Sequence, residues 1–146
     1  MYPDDLFREF DRMFAELSLP MTSHARRGSF NPNADVQLTD GGRTVLVRVE
    51  LAGVLSDHIK LVVEGATLYL AGARVNDARR ADAILQKEID YGYFLKKIQL
   101  PSPVAVGGAK AEYNDGMLTI VLPIAAERRI GRADRTEIRM ICKARA

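Results

Sequence analysis

The sequence predicts an all-β fold: an immunoglobulin-like antiparallel β-sandwich with a helical N-terminal arm and an extended C-terminal tail. Three observations carry this. Short runs of period-two hydrophobic alternation recur between residues 34 and 123. Gly, Asp and Asn turn signals separate those runs. No long helical period lies among them, which suits a sandwich of antiparallel strands rather than strands joined by helices.

The arm comes first. Leu6, Phe7, Phe10, Met13, Phe14 and Leu17 form the stripe of an amphipathic helix. Pro3, Asp4 and Asp5 suit its first turn, where a missing N–H costs nothing and negative charge meets the positive helix end. Pro20 stops it, and residues 21–33 read as a linker, so 1–33 form an arm and linker.

The strands occupy 34–123. Val45, Val47, Val49 and Leu51 alternate with Leu46, Arg48 and Glu50. Ile59, Leu61 and Val63 alternate with Lys60, Val62 and Glu64. Leu68 and Leu70 lead into Gly72, and Leu118, Ile120 and Leu122 alternate with Met117, Thr119 and Val121. Turns are expected at Asp40-Gly41-Gly42, Ala52-Gly53, Glu64-Gly65, Gly107-Gly108 and Asn114-Asp115-Gly116. Residues 74–83 break this rhythm with a polar, charged stretch too long for a tight hairpin. A strand-like segment, Ile84 to Ile89, follows, and the whole reads as an excursion from the sandwich.

The tail, 124–146, carries 7 basic and 3 acidic side chains, whereas 1–123 carry 14 and 16, so the surplus behind the net charge of +2 sits here. Such a tail is either a solvated extension or a nucleic-acid arm. Glu127, Asp134 and Glu137 interrupt its basic run and no aromatic lies in it to stack on bases, which favours solvation. Ile138-Arg139-Met140-Ile141 is its one apolar knot.

Composition narrows the chemistry. No apolar run approaches the roughly 18 residues that span a bilayer, so no membrane span is expected, and no secretory signal is visible. A single cysteine, Cys142, suits a reducing cytoplasm, and one cysteine with two histidines does not make a structural zinc site. No Gly-Lys phosphate loop, dinucleotide fingerprint or Gly-x-Ser-x-Gly elbow is present. His24 and His58 read as surface histidines, and Glu88 and Asp90 as surface charges rather than an acid/base pair. No catalytic residues, metal ligands or cofactors are expected.

The strand-rich segment carries motifs as well as a pattern. Its first half has Asp35-Val36, Leu51-Ala52-Gly53, Ile59-Lys60-Leu61-Val62-Val63 and Leu68-Tyr69-Leu70-Ala71-Gly72-Ala73-Arg74. Its second half has Gln86-Lys87-Glu88-Ile89-Asp90-Tyr91-Gly92-Tyr93-Phe94, Ile98-Gln99-Leu100-Pro101, and Ala111-Glu112-Tyr113-Asn114-Asp115-Gly116-Met117-Leu118 before a closing Leu122-Pro123. Together these resemble the α-crystallin domain of bacterial small heat-shock proteins over 34–123. The arm from Asp5 to Phe14 is similar to the family's D-x-F-R-E-x-x-R-x-F type. The sequence departs in three places: Ala52 replaces a turn proline, Lys96 replaces the arginine five residues before Pro101, and Met140 fills the second slot of the tail's I-x-I/V motif.

The resemblance implies an ATP-independent holdase that keeps unfolding client proteins soluble for ATP-driven refolding chaperones. The arm stripe Leu6, Phe7, Phe10, Met13, Phe14 and Leu17 is then either client-binding surface or oligomer core, and one arm can serve both. It holds three of the chain's five phenylalanines. Phe and Met adapt to irregular apolar surfaces. The 74–92 excursion resembles a dimerisation loop whose strand pairs with the partner's first strand. That implies a homodimer interface of Val36, Leu38, Ile84, Leu85, Glu88 and Lys96, with an inter-subunit ion pair through Glu88, Lys96 or both. Ile138 and Met140 are the implied tail anchor, and Leu61 and Val63 the implied groove, from which larger oligomers would be built. The alternative from another class is a monomeric β-sandwich co-chaperone or interaction module, which has no use for Phe7, Phe10 and Phe14.

Overall fold

A computed structural model of the chain describes residues 30–76, 80–126 and 135–142. The helical arm read on Leu6 to Leu17 lies outside them. The described strands, in chain order, are β1 (Ala34–Thr39), β2 (Thr44–Glu50), β3 (Ile59–Glu64), β4 (Thr67–Arg74), β5 (Gly92–Gln99), β6 (Lys110–Asn114), β7 (Met117–Pro123), β8 (Arg135–Ile138) and β9 (Met140–Cys142). They make two sheets, one ordered β1-β2-β7-β6-β9 and the other β5-β4-β3-β8. Every pairing is antiparallel except that of β6 with β9, which is parallel. The expected sandwich is present.

Its core follows from the alternation. In register, Val45 faces Leu122, Val47 faces Ile120 and Val49 faces Leu118, and all six are fully buried. Leu61, Val63, Leu68, Leu70, Phe94 and Ile98 close the core from the other sheet. Each such side chain stabilises the fold by about 1.5–3 kcal/mol through loss of wetted apolar surface. The intervening polar residues, such as Arg48 and Glu50 on β2, face solvent.

Packing begins before β1. Phe30 and Pro32, in the stretch read as linker, are buried, and Phe30 meets Phe94 edge-on with ring centroids 5.5 Å apart. Asn33 is tied in as well, its carbonyl accepting from the Glu50 N–H at 3.0 Å.

Two glycines are fixed by close approach. A Cβ on Gly72 would sit 2.1 Å from the His58 carbonyl oxygen and 2.6 Å from Phe94 Cζ. Gly116 has φ +77°, and a Cβ there would be 3.0 Å from Ala52 Cα. The Asn114-Asp115-Gly116 turn therefore lies directly on the Leu51–Val54 turn. The Tyr113 hydroxyl reinforces this contact by donating toward the carbonyls of Val54 (2.8 Å) and Leu51.

Candidate functional site

The candidate surfaces among the described residues lie at the two lateral edges of the sandwich, one covered by the tail and one not, and at the base of the 74–92 excursion.

The tail fills one side. β8 runs antiparallel to β3, with Ile138 opposite Leu61, Glu137 opposite Val62 and Thr136 opposite Val63. One residue later the chain changes sheets. β9 runs parallel to β6, with Met140 opposite Ala111 and Ile141 opposite Glu112. Arg139 is the step between the two ladders. Ile138 is buried in the main core beside Leu61 and Val63, whereas Met140 is half-buried against that core and Ile141 is exposed. The structure thus brings Ile138 and Met140 together with Leu61 and Val63. The sequence shows the apolar knot but not that it splits between two sheets, because hydrophobicity alone carries no strand direction.

The opposite side is open. β1 is the edge of its sheet, and on it Val36 and Leu38 pair with the buried Val47 and Val45 yet stay 44% and 53% exposed. A cleft of about 380 Å³ lies beside them, lined by Val36, Gln37, Leu38, Val45, Leu100 and Pro101. Across the sandwich, β5 is the edge of the other sheet. Lys96 sits on its core face, opposite Leu70 and between Phe94 and Ile98, and is half-buried. This placement is hard to see in sequence, because a lysine in the inward series hides the alternation of β5.

The segment from Ile84 to Ile89 is not a strand in this chain. A strand needs a hydrogen-bonding neighbour, and none of the described strands pairs with it. Ile84, Leu85 and Ile89 are 68%, 95% and 58% exposed. Glu88 accepts from Gln86 Nε2 at 2.6 Å, and among the described residues no ion pair joins it to Lys96 within one chain.

The loop's base is held by Arg74. Its Nε donates to the Asp90 carbonyl at 2.8 Å, its Nη2 donates to the same oxygen, and its Nη1 reaches the Ala52 carbonyl at 3.3 Å. Its guanidinium also lies over the rings of Phe30 and Tyr91. His58, expected at the surface, is half-buried, its carbonyl oxygen against Gly72. His24 and the arm residues Leu6, Phe7, Phe10, Met13, Phe14 and Leu17 lie outside the described residues. Among the described residues no cluster of His, Cys, Asp and Glu is arranged to hold a metal ion, and no helix is long and apolar enough to cross a membrane.

Comparison with known proteins agrees with this architecture. The model of the Hsp20/alpha crystallin family matches residues 38–139. Small heat shock protein C4 of Rickettsia felis is 32% identical over 123 residues, covering 84% of this chain and 73% of that protein. The 16.9 kDa class I heat shock protein 3 of Oryza sativa is 29% identical over 123 residues, covering 83% of this chain and 81% of that one. Among solved structures, heat shock protein 16.0 from Schizosaccharomyces pombe superposes with a TM-score of 0.59 at 25% identity, over 70% of this chain and 98% of that chain. The chain belongs to the Hsp20/alpha crystallin family, the small heat-shock proteins.

Proposed function

We propose that this chain is an ATP-independent holdase that captures unfolding proteins in the cytoplasm and keeps them from aggregating until ATP-driven chaperones refold them. Its building block is a strand-exchanged homodimer, and tail docking joins dimers into larger oligomers. In this reading 1–33 is the client-binding arm, 34–123 the dimerising sandwich with its 74–92 loop, and 124–146 the linking tail.

One observation carries it. Among the described residues of one chain, an apolar edge strand with Val36 and Leu38 is exposed, and an apolar segment with Ile84, Leu85 and Ile89 pairs with none of the described strands. Each is what the other needs. Laying residues 84–88 of one chain along residues 34–38 of a second would pair the backbone of both and cover the edge. The core face of β5, where Lys96 sits, borders the same open side.

Within one chain the tail docks on its own sandwich, and the same contacts made onto a second chain's β3 and β6 would link dimers. Burying Ile138 and part of Met140 contributes roughly 2–4 kcal/mol before the cost of ordering the tail. One docked tail is therefore weak, while many in one assembly hold firmly through effective concentration. Warming would then release subunits and their arms without a chemical trigger.

The test combines two measurements on the full chain. Light scattering should give a mass well above the 16.2 kDa monomer. Aggregation of a heated client should be suppressed at equimolar subunits without nucleotide. Deleting residues 76–89 should leave a folded sandwich that no longer dimerises. An ATP requirement, or no suppression, overturns the holdase reading; an unchanged dimer after the deletion overturns the exchange.

A further inference from the structure

We propose that Met140 is an oxidation site, and that a peroxide acting on its thioether releases the tail from the β6 edge. The proposal rests on the tail docking described above and not on client binding.

Three features on one short stretch carry it. First, β9 is only three residues long, and among its described side chains Met140 packs against the core while Ile141 is exposed. Met140 is thus a principal apolar hold of β9 on β6, beside a short ladder at Ala111. Second, that side chain is half-buried, and a cavity of about 340 Å³ opens beside it, lined among others by Ser56, Asp57, Ile59, Leu61 and Ile138. A small peroxide has a route to the sulfur without unfolding the sandwich. Third, the neighbouring anchor, Ile138, is buried and chemically inert. An isoleucine or valine at 140 would be equally inert, so methionine alone gives the slot a reactive atom.

The step balances. A sulfur lone pair attacks one peroxide oxygen and the O–O bond breaks. The sulfur gains that oxygen as a sulfoxide and is oxidised by two electrons. The other oxygen leaves with both hydrogens as water. The product is a strong dipole at an apolar contact. Its oxygen must either stay partly dehydrated in the contact, at a cost of about 1–3 kcal/mol, or turn to the water of the cavity and leave the contact; both weaken the hold. β9 should detach, and with it the cover over the β6 edge. Sulfoxide reduction is an established reversal of this modification.

The experiment uses the full chain with hydrogen peroxide as the probe. Peptide mass spectrometry should place one added oxygen on Met140. Hydrogen exchange of the β6 amides that face β9, alternate ones among 110–114, should then rise by about tenfold or more, while those bonded to β7 stay protected. Met140→Leu, which keeps the volume and cannot be oxidised, should show protected 110–114 amides both before and after peroxide. Treatment with methionine sulfoxide reductase should restore protection in the parent. The same rise in Met140→Leu would assign the effect to another residue, Cys142 or a different methionine, and overturn the proposal. So would oxygen on Met140 with unchanged exchange, or amides already unprotected before peroxide. None of these readings depends on client suppression, so a failed holdase assay would leave the result standing.

Discussion

The guanidinium carbon of Arg74 lies 3.6 Å from the centroid of the Phe30 ring. The same group donates to the carbonyls of Asp90 and Ala52. One side chain thus joins the segment entering β1, the turn after β2, and both ends of the 74–92 excursion. Removing it should loosen all of these while sparing the core, which lies deeper. Arg74→Ala is expected to lower stability by about 1–3 kcal/mol, combining a cation–π contact with charge-assisted hydrogen bonds. Arg74→Lys should recover only part, because an ammonium lacks the planar fork. Urea unfolding gives the stabilities, and limited proteolysis between residues 80 and 91 should speed up in both variants, more in Arg74→Ala. Unchanged cleavage there would mean the loop base is held by other contacts.

Gly72 predicts a larger effect. Its missing Cβ leaves room for the His58 carbonyl and the Phe94 ring, and backbone cannot move aside cheaply. Gly72→Ala should cost about 2–4 kcal/mol, at the upper end of overpacking changes. Thermal unfolding of Gly72→Ala beside Ala71→Gly separates this clash from any general effect of strand glycines.

The tail anchor predicts a change in assembly with little change in fold. Ile138→Ala with Met140→Ala removes the apolar contacts opposite Leu61 and Ala111. Light scattering should show large oligomers falling toward dimers, while circular dichroism keeps its β signature. A mass equal to the parent's would rule out these side chains as linkers between dimers.

Lys96 predicts a charge effect. It lies on the core face of an edge strand between two buried residues and is itself half-buried. Lys96→Glu should weaken the dimer. Lys96→Arg should be neutral or mildly stabilising, since a guanidinium keeps the charge. An exposed pair with Glu88 would be worth only about 0–1 kcal/mol. Recovery in Lys96→Glu with Glu88→Lys would locate the partner across the interface. Dimer dissociation on dilution measures all three.

What the sequence could show divides along physical lines. β2 and β7 are legible because each turns one face to the core and leaves the other more open, which writes period-two alternation into Val45–Glu50 and Met117–Pro123, whereas β3 also buries Val62 and is legible from its apolar run and flanking turns. β6 carries little alternation: Lys110, Glu112 and Asn114 surround one buried alanine, and its place is legible only through the turn motif that follows. Phe30 was absorbed into the linker because a lone aromatic among Asn, Pro and Ser has no period. Arg74 closes a recognisable motif, but its partners lie 16 and 22 residues away, a separation that local pattern does not encode. The edge pair Val36 and Leu38 and the loop residues Ile84 and Leu85 were identified through family resemblance, since apolar residues destined for a second chain look like any others.

The order of the strands along the chain has a consequence for synthesis. β8 and β9 cover the outer backbone of β3 and β6, and both follow every other strand. The ribosome makes them after β1 to β7. Until residues 135–142 dock, the outer backbone of β3 and β6 presents unpaired N–H and C=O groups. A newly made chain whose tail docks slowly therefore spends longer in a state that can pair edge to edge with a second copy.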